Sequence, residues 1–138
     1  MNARLFYEFL ASDDSLWVYK DGRRLFASSK SGILPLFECI ETLAPHHRQI
    51  TIFDKVVGNA AALLSIKAAV EELNSPLGSE LAVKILRDYG VKYHFSEIAP
   101  YIQNRSQDDM YPMEKLSIDR SPEEFFELAS KQFKHSEA

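Results

Sequence analysis

Four residues between an apolar run and an alanine-rich segment have the side chains and the spacing to bind a small ligand. Asp54, Lys55, Gly58 and Asn59 follow the run QITIF and precede the segment AAALL. If the run is a strand and the segment a helix, free backbone N–H groups and the helix dipole attract anions at their junction. We expect the backbone near Gly58 to bind an anion and Asn59 to supply hydrogen bonds. In the alternative, Gly58 only permits a tight turn and Asp54 and Lys55 are solvated.

A second group of polar residues lies in a segment with little periodicity, residues 96–120. Asn104 and Arg105 carry hydrogen-bond donors, and Glu114 follows them within the sequence YPME. An irregular connection of this length is uncommon in a compact domain and is often functional. We expect these three residues to close over a ligand. The alternative is a polar surface loop held by turn bonds of Asn and Asp side chains.

The cysteine and the histidines favour structural roles over the alternatives of an activated nucleophile or a metal site. Cys39 lies in an apolar stretch and has no identifiable base partner. His46 and His47 are adjacent in an expected turn, where their side chains point apart, and His94 in a strand-like run is either packed or an acid or base. Zinc-deaminase patterns and glycine-rich nucleotide loops are both absent. We therefore expect no metal and no cofactor.

Length, composition and charge limit the class of protein. The chain has 138 residues, with 16 Lys and Arg against 20 Asp and Glu, for a net charge of −4. This length fits one domain over residues 1–138, and the acidic balance opposes binding to nucleic acid. The sequence has no signal peptide and no apolar span of about 20 residues. We expect a cytoplasmic protein with no nucleic-acid or membrane partner, for which a small-molecule ligand and homo-oligomerisation remain possible.

The elements that would position these residues follow from periodicity and capping. Asp21 and Gly22 form a tight-turn dipeptide between two β-prone runs, 16–20 and 24–28, and this pattern predicts a hairpin. Apolar spacing and capping residues predict the other elements, which are helix 4–10, helix 33–43, strand 49–53, helix 58–73, a short extended piece around 73–77 that Pro76 would confine to an edge or a bulge, helix 80–89 capped by Ser79, strand 91–95 and a last helix from Ser121 through Phe133. Strands that alternate with helices indicate an α/β fold with a mainly parallel sheet covered on both faces.

Three motifs resemble a small family of uncharacterised prokaryotic proteins whose fold is similar to that of cytidine deaminases. They are DKVVGNAAALL at 54–64, IQNR at 102–105 and PMEK at 112–115. With the hairpin, the resemblance covers roughly residues 4–118. This chain departs from the family in having Asn59 at a position that is commonly Lys, and Tyr111 at a position that is commonly Cys.

The resemblance implies a three-layer α-β-α fold with a mixed sheet of about five strands that begins with the hairpin. In the deaminase order of elements, Ser31, Gly32 and Ile33 would stand at the zinc-binding His-x-Glu position, and residues 56–60 would replace Pro-Cys-x-x-Cys. The zinc ligands are missing together, so a zinc-dependent deaminase is excluded. The scaffold implies a cleft between these two junctions, which adds Ser31 and Gly32 to the candidate ligand-binding residues.

Three hypotheses of function follow. The first is a domain that binds a small ligand, such as a nucleoside, a nucleotide or another phosphate compound, and it predicts that Gly58→Val abolishes binding in a protein that still folds. The second is a metal-independent enzyme with Asp54 or Glu114 as general acid or base, its catalytic residues otherwise unknown. The third is an interaction module that self-associates through a sheet edge or through the N-terminal helix with Phe6, Tyr7 and Phe9.

Overall fold

A computed structural model of the chain describes residues 1–43, 47–103 and 112–136. In these ranges five strands form a single mixed sheet, with helices before, between and after them. The elements in chain order are α1 (Ala3–Ala11), β1 (Leu16–Lys20), β2 (Arg23–Ser28), α2 (Leu34–Leu43), β3 (Ile50–Asp54), α3 (Asn59–Lys67), β4 (Val70–Ser79), α4 (Glu80–Asp88), β5 (Lys92–Ala99), α5 (Pro112–Ser117) and α6 (Pro122–Ser136). No helix in the described ranges is long and apolar enough to cross a membrane.

The sheet has the strand order β2-β1-β3-β4-β5. Strand β1 is antiparallel to both of its neighbours, while β3, β4 and β5 are parallel to one another. Asp21 and Gly22 have φ angles of 51° and 78°, as the predicted hairpin turn requires. A mixed five-stranded α/β sheet that begins with a hairpin is therefore confirmed. Because parallel strands end at the same edge of a sheet, β3 and β4 both deliver the chain to the starts of the following helices there.

Opposite faces of the sheet carry two separate apolar clusters, which gives three layers. On one face, Phe6 and Phe9 of α1 pack on Trp17 and Phe53. On the other face, α2, α3, α4 and α6 cover a larger cluster that includes Ile52. Adjacent residues of a strand point to opposite faces, so Ile52 and Phe53 enter different clusters. Small residues in α3 let this helix lie in the centre of the larger layer, where nearly all of it is buried.

Helix α3 is shorter than the sequence predicts, because it ends at Lys67 and not at residue 73. Ala69 has a φ angle of 63°, a left-handed conformation that stops the helix without a glycine to signal it. Its carbonyl accepts a hydrogen bond of 2.8 Å from the N–H of Gln49, which fixes the turn against the start of β3. Residues 68–73, AAVEEL, are mostly good helix formers, so the predicted helix extends through the turn and into β4.

The expected short extended piece around 73–77 is wrong in its length and in its place at an edge, since β4 has ten residues and lies between β3 and β5. Pro76 is accommodated because β3 pairs with β4 only as far as Asn74 and because the register with β5 passes from Ser75 to Leu77. The prolyl nitrogen therefore interrupts neither set of assigned pairs.

The segment 96–120 is less irregular than predicted. Strand β5 continues to Ala99, and α5 occupies residues 112–117. The predicted caps are confirmed: the Ser79 hydroxyl accepts from the N–H of Ala82 at 3.0 Å, and Ser121 and Glu124 form a reciprocal capping box. His46 lies outside the described residues. His94 is half-buried in β5 with its ring edge-on to Phe6.

Candidate functional site

A cleft opens at the edge of the sheet where β3 ends and α3 begins. Its volume is about 230 Å³. Most of its walls are apolar or backbone, and two acidic side chains reach it from different elements. The lining residues are Ser15, Gly32, Ile33, Asp54, Lys55, Val56, Gly58, Ala60, Ala61, Ile102, Gln103 and Glu114. The cleft is thus formed by the residue before β1, the start of α2, the β3–α3 junction, the chain after β5, and α5.

Asp54 is the last residue of β3 and is buried beside the cleft. It pairs with Leu16 of β1, and this pairing holds its backbone in place. Its Oδ1 accepts a long hydrogen bond of 3.4 Å from the N–H of Val56. Burial raises the pKa of the Asp54 carboxyl to about 7, and its backbone hydrogen bonds oppose that rise only in part. Near neutral pH this carboxyl can therefore either give up or accept a proton.

Glu114 is buried in α5, and its carboxylate caps the first turn of α3. Oε2 accepts from the N–H of Asn59 at 2.6 Å, and Oε1 accepts from the N–H of Ala60 at 2.8 Å. Burial raises the pKa of the Glu114 carboxyl, and these two hydrogen bonds oppose the rise. The start of α3 does bind an anion, as its dipole favours. That anion is a carboxylate of the chain itself, so the expectation that these N–H groups hold a ligand is corrected.

The side chain of Asn59 also joins α3 to α5. Its Nδ2 donates to the carbonyl of Ser117 at 3.1 Å and to the hydroxyl of Ser117 at 3.0 Å. That hydroxyl in turn donates to the carbonyl of Glu114 at 2.6 Å. Asn59 is thus committed to fastening the two helices, and it is absent from the lining of the cleft.

Gly58 is required by a close approach and not by a turn. Its φ angle is −94°, which any residue can adopt. A Cβ atom at this position would lie 2.2 Å from Oε2 of Glu114. Gly58→Val would therefore displace the carboxylate that caps α3, and the expectation that this variant still folds stays a prediction.

Lys55 lines the cleft, and its ammonium group is hydrogen-bonded to the chain after α1. The Nζ atom donates to the carbonyls of Ser12 and Asp14, both at 2.8 Å. It also lies 4.6 Å from the centre of the Phe9 ring, within the range of a cation–π contact. Lys55 therefore fastens the end of α1 to the end of β3.

The other predicted residues have different outcomes. Gly32 lines the cleft and has a φ angle of 72°, whereas Ser31 is exposed and outside the lining. Asn104 and Arg105 lie outside the described residues. Sequence reasoning did not select Ser15, whose hydroxyl faces the carbonyls of Ser28 and Lys30 at 3.0 and 2.6 Å. Ser15 lies at the cleft because β1 pairs with β3, and no local sequence motif predicts that pairing.

No described group of three or more His, Cys, Asp or Glu side chains is placed to hold a metal ion. Cys39 is buried in α2, and burial raises the pKa of its thiol to about 12. A thiol with such a pKa is protonated at neutral pH and is a poor nucleophile. The chemistry available to the described cleft therefore rests on its carboxyl groups.

These features define a small mixed α/β domain with an acid-lined cleft at the carboxyl edge of its parallel strands. Residues 6–133 match the family model TM1506, a domain of unknown function (DUF1893), and the chain belongs to this family. Among solved structures, it is similar to a DUF1893 family protein (TM1506) from Thermotoga maritima, determined by crystallography at 2.70 Å resolution. The two share 27% identity over 94% of this chain and 88% of the other, with a TM-score of 0.86. No curated protein matches the sequence.

Proposed function

We propose that this protein binds a small organic ligand, of nucleoside type or similar, in the cleft between the start of α2 and the β3–α3 junction. The observation that carries the proposal is a cleft of about 230 Å³ with apolar walls and a buried carboxyl, Asp54, which receives only weak backbone hydrogen bonds from the described part of the chain. Ligand sites commonly combine apolar walls with a few placed polar groups. A buried polar group without good partners is costly in a folded protein unless a ligand or water completes it.

Two observations favour a nucleoside over a phosphate compound. The first two N–H groups of α3 already bind Glu114, so an anion would have to displace a buried carboxylate. The ammonium group of Lys55 is committed to two carbonyls on the side of α1. Among the described lining residues, no free cation is left to attract a phosphate. Asn104 and Arg105, which are outside the described ranges, stay predictions as parts of this site.

The proposal includes a zinc-free scaffold similar to that of cytidine deaminases. A hairpin followed by helix, strand and helix, with parallel strands after β3, supports this similarity. The two segments that would replace the zinc motifs contribute Gly32 and Ile33 on one side and Val56, Gly58 and Ala60 on the other, all of which line one cleft. None of these five side chains can ligate zinc.

A thermal-shift panel of nucleosides, nucleotides, nucleobases and sugar phosphates tests the proposal. Ligand at about 100 times its dissociation constant adds about 2.7 kcal/mol of stability. Val56 is 42% exposed and lines the cleft, so Val56→Trp should block the cleft without disturbing the core. Tyr7 is 69% exposed on α1, and Tyr7→Trp is the control. A shift lost in Val56→Trp and kept in Tyr7→Trp is expected, whereas shifts unaffected by Val56→Trp would contradict the location.

A metal-independent enzyme is the second candidate, and the pKa of Asp54 favours it. A carboxyl that titrates near 7 inside a cleft is suited to general acid or base catalysis. Glu114 is less suited, because both of its oxygens bind backbone N–H groups. Any compound that shifts the melting temperature should be incubated with wild type and with Asp54→Asn, with the products identified by mass spectrometry. Turnover by wild type alone would support catalysis, and equal turnover by both would exclude a role for Asp54.

Self-association also stays a proposal, but its surface changes. Phe6 and Phe9 are buried against the sheet, which leaves Tyr7 as the exposed member of the three aromatic residues predicted on α1. The outer edges of β2 and β5 have no neighbour in the described sheet. We propose these edges as the main route to a homo-oligomer, with the exposed ring of Tyr7 on α1 as the alternative. Sedimentation equilibrium at high concentration tests it, and a strictly monomeric mass would remove it.

A further inference from the structure

The charges in the cleft indicate which class of ligand it accepts. We infer that the ligand carries a cationic nitrogen group, such as an amidinium or an ammonium, that pairs with the Asp54 carboxylate while its apolar part lies on the cleft walls. This inference rests on the proposed function and narrows it: ordinary nucleosides are neutral at pH 7.5, so the inference selects, among organic ligands of that size, those that carry a basic nitrogen.

Two of the three charged residues in the described lining of the cleft are acidic. Asp54 from β3 and Glu114 from α5 are acidic, and Lys55 is the one basic residue among the described lining. Lys55 directs its ammonium group to Ser12 and Asp14, so it does not neutralise the cleft. The described lining from the start of α2, from the residue before β1 and from the chain after β5 carries no ionisable side chain.

The two carboxyl groups differ in how well their oxygens are hydrogen-bonded. Glu114 has one short backbone hydrogen bond on each oxygen, and the dipole of α3 further stabilises its charge. Among the described residues, Asp54 has a long bond of 3.4 Å from the N–H of Val56, a further weak backbone contact from Lys55, and no ion pair. A buried carboxylate without a cation is unfavourable, and a cationic ligand would supply the missing partner.

The apolar walls of the cleft indicate the chemistry of the rest of the ligand. Ile33, Val56, Ala60, Ala61 and Ile102 provide apolar wall from four separate parts of the chain. Ala60 and Ala61 are small residues of the first turns of α3, which leaves room above them for a flat group. A single aromatic ring with an attached cation therefore has the right combination of an apolar body and a charged end.

Three probes of nearly the same shape and different charge test the inference: benzamidine (cationic), benzamide (neutral) and benzoate (anionic). Binding is measured by titration calorimetry and by chemical-shift changes at pH 7.5. The expected order is benzamidine first, at least about tenfold tighter than benzamide, which corresponds to about 1.4 kcal/mol, with benzoate not binding. Asp54→Asn should remove the preference for benzamidine. Asp88→Asn, at an exposed aspartate that ends α4, should keep it.

A measurement on the wild type alone keeps the test valid if Asp54→Asn fails to fold. Benzamidine stays cationic between pH 5.5 and 8, whereas Asp54 changes charge near 7. The affinity of the protein for benzamidine should therefore rise by about tenfold or more from pH 5.5 to pH 8, while its affinity for benzamide stays level.

Equal binding of benzamidine and benzamide, preferred binding of benzoate, or no benzamidine binding at about 10 mM would each overturn the inference. The proposed function is judged separately. If a nucleoside still binds and Val56→Trp still blocks it, the cleft is a ligand site and only the assigned charge is wrong. If neither the three probes nor the nucleoside panel binds, the proposed function falls as well.

Discussion

The molecule contains two buried carboxyl groups at one edge of the sheet, and they lie in opposite circumstances. Glu114 is 2% exposed, and both of its oxygens accept short hydrogen bonds from the start of α3. Asp54 is 9% exposed, and its hydrogen bond from the N–H of Val56 is 3.4 Å long. The first carboxylate is a structural part that holds two helices together. The second makes few contacts that stabilise the fold, which is the usual condition of a group kept for binding or catalysis.

The largest expected effect is the loss of Glu114. Glu114→Ala leaves two N–H groups at the start of α3 without their acceptor and opens a space in the interior. We expect a loss of about 3 kcal/mol in the free energy of unfolding, measured by urea denaturation. Glu124→Ala, in the exposed capping box of α6, is the control and should cost much less. If Glu114→Ala lowers the free energy of unfolding by less than about 1 kcal/mol, the carboxylate does not stabilise the start of α3.

The next effect comes from Gly58. Gly58→Ala places a methyl group 2.2 Å from Oε2 of Glu114 and should destabilise the protein by about 2 kcal/mol. Since the conflict is with Glu114 itself, Gly58→Ala should cost much less when Glu114→Ala is already present. A double-mutant cycle measures this coupling. Strictly additive losses would mean that Gly58 is needed for another reason.

Asp54→Asn should stabilise the protein, whereas the substitutions of Glu114 and Gly58 should destabilise it. The pKa of Asp54 is about 7 in the folded protein and near the ordinary 3.8 in the unfolded chain. Between these two pH values the folded state binds more protons at Asp54 than the unfolded chain does. As far as Asp54 determines it, the free energy of unfolding is therefore highest below pH 4 and falls as the pH rises toward 7. Asp54→Asn should therefore stabilise the protein by roughly 2 kcal/mol at pH 8 and leave it nearly unchanged at pH 4.

The measurement is urea denaturation of wild type, Asp54→Asn and the exposed control Asp88→Asn at both pH values. Glu114 also titrates with a raised pKa, so the difference between variants is the informative quantity. A destabilised Asp54→Asn at pH 8 would reverse the distinction between the two carboxyls.

The smallest effect is expected at Asn59. Asn59→Ala removes two hydrogen bonds to Ser117 and leaves Glu114 in place, so we expect a loss of about 1 kcal/mol. Amide hydrogen exchange in α5 should speed up more than exchange in α4. Equal changes in both helices would show that Asn59 acts on the whole fold and not on the fastening of α5.

The parts of the fold that sequence predicted correctly are those specified by neighbouring residues. Asp21 and Gly22 determine the hairpin turn, and Ser79 and Ser121 begin helices through bonds to residues three positions later. The end of α3 at Lys67 was missed because Ala69 adopts a left-handed conformation without glycine. The length of β4 was missed because Pro76 is disfavoured in a central strand and only long-range pairing reveals where it fits.

The candidate site shows the same division. The attraction of the β3–α3 junction for an anion was predictable from local chemistry. Its occupant was not, since Glu114 is 55 residues away from Asn59 and reaches it only through the packing of α5 on α3. The role of Lys55 likewise depends on carbonyls more than forty residues earlier in the chain.

The close approach of Glu114 to Gly58 has a consequence for the evolution of this fold. The two positions share one small volume, so neither can change freely while the other is kept. A lineage that gains a side chain at position 58 should also replace the glutamate at 114 with a shorter residue and should acquire a different acceptor for the N–H groups of residues 59 and 60. Paired substitutions at 58 and 114 are therefore expected when sequences of the family are aligned.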